Sequence, residues 1–495
     1  MWTRAGGRSA AANVRASRRL GPVLGPFLGP CLALLVSGCI LGTEKPDLAL
    51  EVPQSYRAPH GAAEASLPPL DWWRGFRSSE LTQLMEEAQA ANFDIAVAIA
   101  RIRQADAQAK IAGAPLFPTL DLNASATRSR QATAVAASTG GIGGSADRTV
   151  YNANLTASYV LDFWGQNRAA LLAAEQSAIN SRFNRDVVAL TTIVTVANTY
   201  FQVLAAQDRL RIAREDLAAA TRILNLIQQR LEAGTASALD IAQQQTLVDT
   251  QRAAIPPLEQ TLRQSIAQLA LLVGRAPEHF NVKGGSMSRI AVPRVTPGLP
   301  SEILNQRPDI RAAEAQLAST NYSVESARAA FFPNIALTGT TGFQSAALRT
   351  LFGPGAWFYT AAAALAQPIF DGFLREGELD LQRGRQQEAL QTYRKSVISA
   401  FSDVEIALIA IQQTAERERL QTAAVASARK AFDISETRLR EGTVDLVTVL
   451  QTQQTLFQNE DLLAQARLAH LQAIVSLFQA LGGGWSPVKR EMRHA

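Results

Sequence analysis

Four short stretches of the chain alternate apolar and polar side chains with a period of two. Over residues 119–127, Leu120, Leu122, Ala124 and Ala126 interleave with Thr119, Asp121, Asn123, Ser125 and Thr127. Residues 151–161 set Tyr151, Ala153, Leu155, Ala157, Tyr159 and Leu161 against Asn152, Asn154, Thr156 and Ser158. Ile335, Leu337 and Phe343, opposed by Asn334, Thr338 and Gln344, mark a third stretch, and residues 357–367 a fourth that is less cleanly patterned. This period predicts strands with two unlike faces. Each is close to the roughly 9–11 residues that cross a bilayer as a strand, and Tyr151, Tyr159, Trp357 and Tyr359 suit an interfacial aromatic girdle. A soluble hairpin with one wet face has the same alternation. Four strands, however, cannot close a barrel, and open edges in lipid leave backbone groups unpaired, so a membrane reading requires several subunits.

The remainder is helical in pattern. Residues 166–230 contain neither Pro nor Gly, enough for a helix of roughly 100 Å. Leu210, Leu217, Leu224 and Leu231 recur every seventh position, with Ala213, Ala220 and Ile227 between them, and Val425, Phe432 and Leu439 repeat the pattern more weakly. Such a seam predicts paired coiled-coil helices, and Gly234 and Gly442 stop them as left-handed caps before a second helix returns antiparallel. Val187–Gln207 lacks charge and is long enough to cross a membrane, yet it carries Thr191, Thr192, Thr195, Asn198 and Gln202. It reads as a buried bundle helix.

An internal repeat organises these segments. Arg230-Leu231-Glu232-Ala233-Gly234-Thr235 matches Arg438-Leu439-Arg440-Glu441-Gly442-Thr443 at an offset of 208. Asp94-Ile95 and Phe117-Pro118 match Asp309-Ile310 and Phe332-Pro333 at an offset of 215. The difference of seven places one insertion in the first copy, most naturally at the loop Ser138–Ser145. Each copy reads helix, strand, strand, long helix, helix. The expected boundaries are 79–290 for the first copy and 291–484 for the second, with 485–495 as a tail. Pro118 and Pro333 sit where a helix must end and a strand begin, and Gly165 and Gly372 where a strand turns back into a helix.

The charge is unevenly placed. The chain of 495 residues has a formal charge of +5, but Arg4, Arg8, Arg15, Arg18 and Arg19 lie in residues 1–38, which hold no acidic residue. Without them Lys and Arg equal the 43 Asp and Glu, so composition gives no case for nucleic acid. Five arginines, an apolar run from Leu20 to Val36 and then small residues are the layout of a secretory signal peptide over 1–38. Arg18-Arg19 alone is a poor twin-arginine match. Val36-Ser37-Gly38-Cys39 is similar to a bacterial lipobox, which would make Cys39 the acylated first residue of a lipidated segment, 39–78. Ile40, where an Asp would retain a lipoprotein at the inner membrane, favours outer-membrane sorting.

Taken in order, Asp71-Trp72-Trp73-Arg74-Gly75-Phe76, Leu116-Phe117-Pro118, Leu161-Asp162-Phe163-Trp164-Gly165, Arg307-Pro308-Asp309-Ile310, Phe331-Phe332-Pro333, Pro368-Ile369-Phe370-Asp371-Gly372 and the two Arg-Leu-x-x-Gly-Thr turns carry a family likeness. The chain resembles the TolC-type outer-membrane efflux proteins, in the lipoprotein branch that includes OprM and NodT. The resemblance implies an α+β membrane protein, internally duplicated. Its long coiled-coil helices would form an α-barrel, and four strands per subunit would join a 12-stranded transmembrane β-barrel in a homotrimer. It also implies an exit duct for drugs or other small toxic compounds, served by an inner-membrane pump and a periplasmic adaptor that meets the turns at Gly234, Thr235, Gly442 and Thr443. The periplasmic gate would lie near these turns. Asp445 and Asp240 are candidates for rings of three carboxylates, or else simply helix-start residues. Some members carry aspartates where this chain has Thr448 and Gln451, so their ion preference does not transfer. Two alternatives remain: a channel for secreted protein or metal ions, and a non-conducting structural lipoprotein.

An enzyme has little support. His60, His279, His470 and His494 are far apart in sequence with no metal-ligand spacing, and no Walker loop or nucleophile elbow is present. Gly140–Gly144 lacks the Lys-Ser/Thr helix of a phosphate loop. No cofactor is expected, and pumping energy must come from elsewhere.

Overall fold

The computed structural model describes Pro46, Leu48, Leu50, residues 69–130, 147–293 and 304–483, and Trp485. The signal peptide, Cys39, the loop Ser138–Ser145 and the tail beyond Trp485 lie outside the described residues.

A 3-10 turn, Trp72–Phe76, leads into α1 (Ser79–Ala91) and α2 (Phe93–Gly113). There follow β1 (Thr119–Ser129), β2 (Arg148–Leu161), α3 (Gln166–Glu232) and α4 (Ala238–Leu272). The second copy repeats the order with α5 (Pro308–Ala329), β3 (Asn334–Ser345), β4 (Trp357–Ala366), α6 (Leu374–Arg440) and α7 (Leu446–Ala480). Both long helices have 67 residues and both return helices 35, at the offset of 208 read from the sequence. The connection from β1 to β2 covers 130–147 and that from β3 to β4 covers 346–356, so the seven-residue difference falls there.

The strands form one antiparallel sheet in the order β1-β2-β3-β4. Its register keeps the two faces unlike across all four strands. Leu122 pairs with Leu155, Tyr159 with Leu337, and Ile335 with Leu365 on one face. Asn123 pairs with Asn154 and Thr156 with Thr340 on the other. Leu122 and Leu365 stay largely exposed, and β1 and β4 each keep an edge without a partner strand in the chain. A free-standing sheet with an exposed apolar face and two open edges is incomplete.

The helices supply the core. α3 packs on α2, α4, α5 and α7, and α6 on α5 and α7. Val187–Gln207 lies in protein, with Val196, Phe201, Val203 and Leu204 buried among Leu269, Val273, Ile474 and Phe478. Trp72 stacks on Phe478 with ring centroids 4.7 Å apart and meets Trp73 and Phe76 edge-on, so the Trp-Trp-x-Gly-Phe landmark is an apolar plug that pins the N-terminal segment to the bundle. Of the expected seam, Leu210, Ala213, Ala220, Leu224, Ile227, Phe432 and Leu439 are buried. Leu231 departs from it at 37% exposure.

At the strand-to-helix corners, Asp162 accepts from the backbone N–H groups of Asn167 and Arg168, each at 2.9 Å. Asp371 does the same for Leu374 at 3.1 Å and Arg375 at 3.4 Å. Gly165 is the left-handed N-cap of α3 at φ 78°, while α6 places Phe373 in that position at φ 68°, just after Gly372. The helix-cap counterpart of Gly165 is therefore Phe373 rather than Gly372.

Candidate functional site

The far ends of the long helices are the two Gly-Thr turns, and their local chemistry explains the motif. A helix ends with carbonyls that have no partner. At the first tip Gly234, at φ 72°, turns its N–H to the Leu231 carbonyl at 2.9 Å. Thr235 then satisfies the Arg230 carbonyl twice, through its N–H at 2.8 Å and its hydroxyl at 3.0 Å. The second tip copies this: Gly442, at φ 74°, bonds Leu439 at 3.0 Å, and Thr443 bonds Arg438 at 2.9 and 3.2 Å. Gly supplies the left-handed turn, and Thr the extra donor.

The acidic residues begin the return helices. Asp445 is the N-cap of α7 and accepts from Thr448 N–H at 3.0 Å; hydrogen bonding from Thr448 holds its carboxyl below the usual range. In the first copy the N-cap is Ser237, the counterpart of Asp445, and Asp240 sits one turn in. Asp240 accepts from Ser237 N–H at 2.8 Å and from its hydroxyl at 2.9 Å, closing a capping box. Each tip thus carries one carboxylate on a helix N-terminus, where the macrodipole favours its charge. Thr448 is held by backbone to Asp445, and Gln451 is exposed one turn further along.

Two features of this region escaped the sequence reading. Arg230 Nη1 donates to the Leu439 carbonyl at 2.9 Å, tying the first tip to the second. Its only signal was an Arg four residues before Gly in both turns. Higher in the bundle, Asp216 of α3, nearly inaccessible to solvent, hydrogen-bonds Glu460 of α7, which pairs with Arg429 of α6. Burial foremost, and then the Glu460 charge, push the Asp216 carboxyl up to about 8. No sequence motif links these three positions. His470 bonds Glu418 through Nδ1 at 2.7 Å, and no cluster of three potential metal ligands occurs among the described residues.

The comparisons agree with this geometry. The family described as "Outer membrane efflux protein" matches residues 84–275 and 299–483. The pyoverdine export outer membrane protein OpmQ of Pseudomonas aeruginosa is 39% identical over 461 residues, covering 91% of this chain and 96% of the relative. The toluene efflux pump outer membrane protein TtgC of Pseudomonas putida is 30% identical, over 92% of this chain and 94% of its own. A solved membrane protein from Pseudomonas aeruginosa, 30% identical, superposes with a TM-score of 0.80 over 90% of this chain and 98% of that one. The fold is thus shared with a solved membrane protein, and the chain belongs to the outer membrane efflux protein family.

Proposed function

We propose that the chain is the exit duct of a tripartite efflux system. In this reading it assembles as a homotrimer, meets a periplasmic adaptor at the turns around Gly234, Thr235, Gly442 and Thr443, and releases drugs or other small toxic compounds supplied by an inner-membrane pump. The observation that carries it is the sheet: one apolar face, one polar face and two open edges, which a ring of three subunits turns into a closed barrel with an aqueous lumen. The test is purified protein in planar bilayers together with a deletion strain challenged with dyes, antibiotics and metals. Trimers with open-channel currents and increased sensitivity of the deletion support the duct. Trimers without conductance would sink it in favour of a structural lipoprotein, and loss of a secreted protein or of metal tolerance alone would replace the cargo.

A second cargo reading has its own support. The 39% identity to a pyoverdine export protein favours a pyoverdine-like exported metabolite. Its accumulation inside the deletion strain, with unchanged drug sensitivity, is the outcome that would select it.

Cys39 is proposed as the lipid anchor that holds the duct in the outer membrane. Labelled palmitate should enter the wild-type protein and be lost in Cys39→Ser; equal labelling of both would refute the anchor.

The carboxylates at the tips are proposed to line the periplasmic constriction, where a trimer repeats each charge three times. Asp445, held ionised by Thr448, is the stronger of the two. Asp445→Asn should lower the cation-to-anion permeability ratio of single channels roughly two- to fivefold while preserving trimers. An unchanged ratio in Asp445→Asn and in Asp240→Asn would return both residues to a purely capping role.

A further inference from the structure

The end of the sheet away from the helices, where β1 runs into β2 and β3 into β4, carries a charge that conduction does not explain. Residues 128–148 hold Arg128, Arg130 and Arg148 against Asp147 alone, and 345–357 add Arg349 with no acidic residue. The corners at the helix end, 114–118, 161–165, 329–334 and 366–373, hold only Asp162 and Asp371, both engaged at helix starts. Cationic charge is thus confined to the outer rim.

Its placement on the two faces is selective. Arg128 pairs with Thr149 and follows Leu120, Leu122, Ala124 and Ala126 at alternate positions, so it lies on the apolar face, whereas Arg148 pairs with Ser129 on the polar one. At the same end of the apolar face stand Tyr151, Phe343 and Trp357. Ring centroids of Phe352 and Phe343 are 5.3 Å apart, and those of Trp357 and Tyr359 5.5 Å. The height also fits: the stretch from Pro118 to Arg128 spans roughly 33 Å along a strand and about 25 Å along the membrane normal at a tilt of about 40°. A sheet that starts at one interface therefore carries Arg128 to the headgroups of the other.

A hairpin ion pair does not account for this arrangement. Arg128 Nη2 lies 2.6 Å from Asp147 Oδ2 and Arg130 Nε 3.8 Å from Oδ1, so two guanidinium groups share one carboxylate, and they remain 72% and 70% exposed. An exposed pair of that kind contributes little to stability. Two forked guanidinium groups above an apolar, aromatic strip match a ligand that combines phosphate with acyl chains.

We propose that Arg128 and Arg130 bind a phosphate of lipid A, the phosphorylated glucosamine lipid of the outer leaflet, with its acyl chains along the apolar face of the sheet. The proposal rests on the outer-membrane channel reading above. Arginines fixed to the rim there take the place of the divalent cations that bridge such phosphates elsewhere in the leaflet.

The test is native mass spectrometry of the full-length, detergent-purified protein with diphosphoryl lipid A in the presence of EDTA. Wild type should retain the lipid, Arg128→Ala combined with Arg130→Ala should weaken binding roughly tenfold or more, and Arg148→Ala, on the other face, should change it roughly twofold at most. Equal loss in Arg148→Ala, or full retention in the double variant with a heat-modifiable barrel, would overturn the site and leave the channel reading in place. Displacement by inorganic phosphate would make the ligand a free anion and overturn the lipid assignment. A second measurement does not depend on the variants folding: a benzophenone-bearing residue in place of Thr149 should cross-link to lipopolysaccharide in intact cells, and one in place of Ser129 should not. Cross-links from both positions, or from neither, would also overturn the site. Wild-type protein that never enters the membrane fraction would overturn both readings.

Discussion

Gly482→Ala will cost this protein much of its folded stability, whereas Gly234→Ala will cost little. Both glycines end a helix in the left-handed region, at φ 72° in each case. A Cβ at Gly234 would meet nothing within 4 Å, so only the left-handed penalty of about 1–2 kcal/mol applies. A Cβ at Gly482 would lie 2.3 Å from the Gln306 carbonyl oxygen, a backbone atom that cannot turn aside. To make room, the start of α5 must move away from the end of α7. That movement breaks the bond from Arg307 Nη1 to the Ala480 carbonyl at 3.1 Å, and it disturbs the ion pairs of Arg307 with Asp309 at 2.7 Å and Asp403 at 2.9 Å. Arg307 is mostly buried, so loosening these partners leaves a charge poorly compensated. The total should reach about 3–5 kcal/mol per chain. Gly274, the counterpart in the first copy, faces the Ala91 carbonyl at 2.5 Å, and Asn92 there donates to the Leu272 carbonyl at 2.8 Å. Gly274→Ala should therefore resemble Gly482→Ala. Protein yield in outer-membrane fractions and the thermal midpoint of purified protein measure the difference; equal, mild losses in all three variants would contradict this account.

The contrast between these glycines also shows what the sequence could and could not reveal. Period-two alternation located all four strands within three residues of their ends, because each face of each strand meets a single environment along its whole length. The long helices were legible for a related reason: an uninterrupted run without Gly or Pro has few other folds open to it, and the Gly-Thr turns mark its end. The offset of 208 puts Gly274 and Gly482 at matching positions, but that both approach backbone carbonyls closely depends on how α1, α2 and α5 dock, which no local pattern encodes. Leu231 fits the seam by spacing and is exposed all the same, since spacing reports which face a residue occupies and not what packs against that face. Asp445 and Asp240 were found as acidic residues near a turn. Their capping geometry follows from helix starts that the sequence had located only approximately. Asp216, Glu460 and Arg429 could not be grouped at all, because they come from three helices and the register between those helices is a tertiary property.

That buried group gives the second large effect, and its sign follows from the raised acidity constant. Asp216 titrates at about 8 in the fold, chiefly because burial disfavours its charge and then because Glu460 and Glu215 are close; Arg429 offsets part of this. In an unfolded chain the same carboxyl titrates near the usual value of about 3.9. Between those limits the folded protein holds a proton that the unfolded chain has released, so stability declines as pH rises from about 4 to about 8 and levels off above. The decline should be on the order of 3 kcal/mol per chain, less than the full equivalent of the shift at about 1.4 kcal/mol per pH unit, because the surroundings of a newly charged group relax and hydrate. Asp216→Asn keeps the shape of the protonated acid and cannot ionise. Helix melting followed by circular dichroism should show the wild-type midpoint falling between pH 5 and pH 8, the Asn variant changing far less, and the two converging at pH 5. At pH 8 the variant should be the more stable protein. Arg429→Ala should steepen the wild-type decline, since it removes a cation that favours the ionised Asp216 carboxyl. A wild-type midpoint that rises with pH over this interval would mean that the Asp216 carboxyl is hydrated and charged in the fold, and the same measurement on Asp216→Asn would then show no advantage at pH 8.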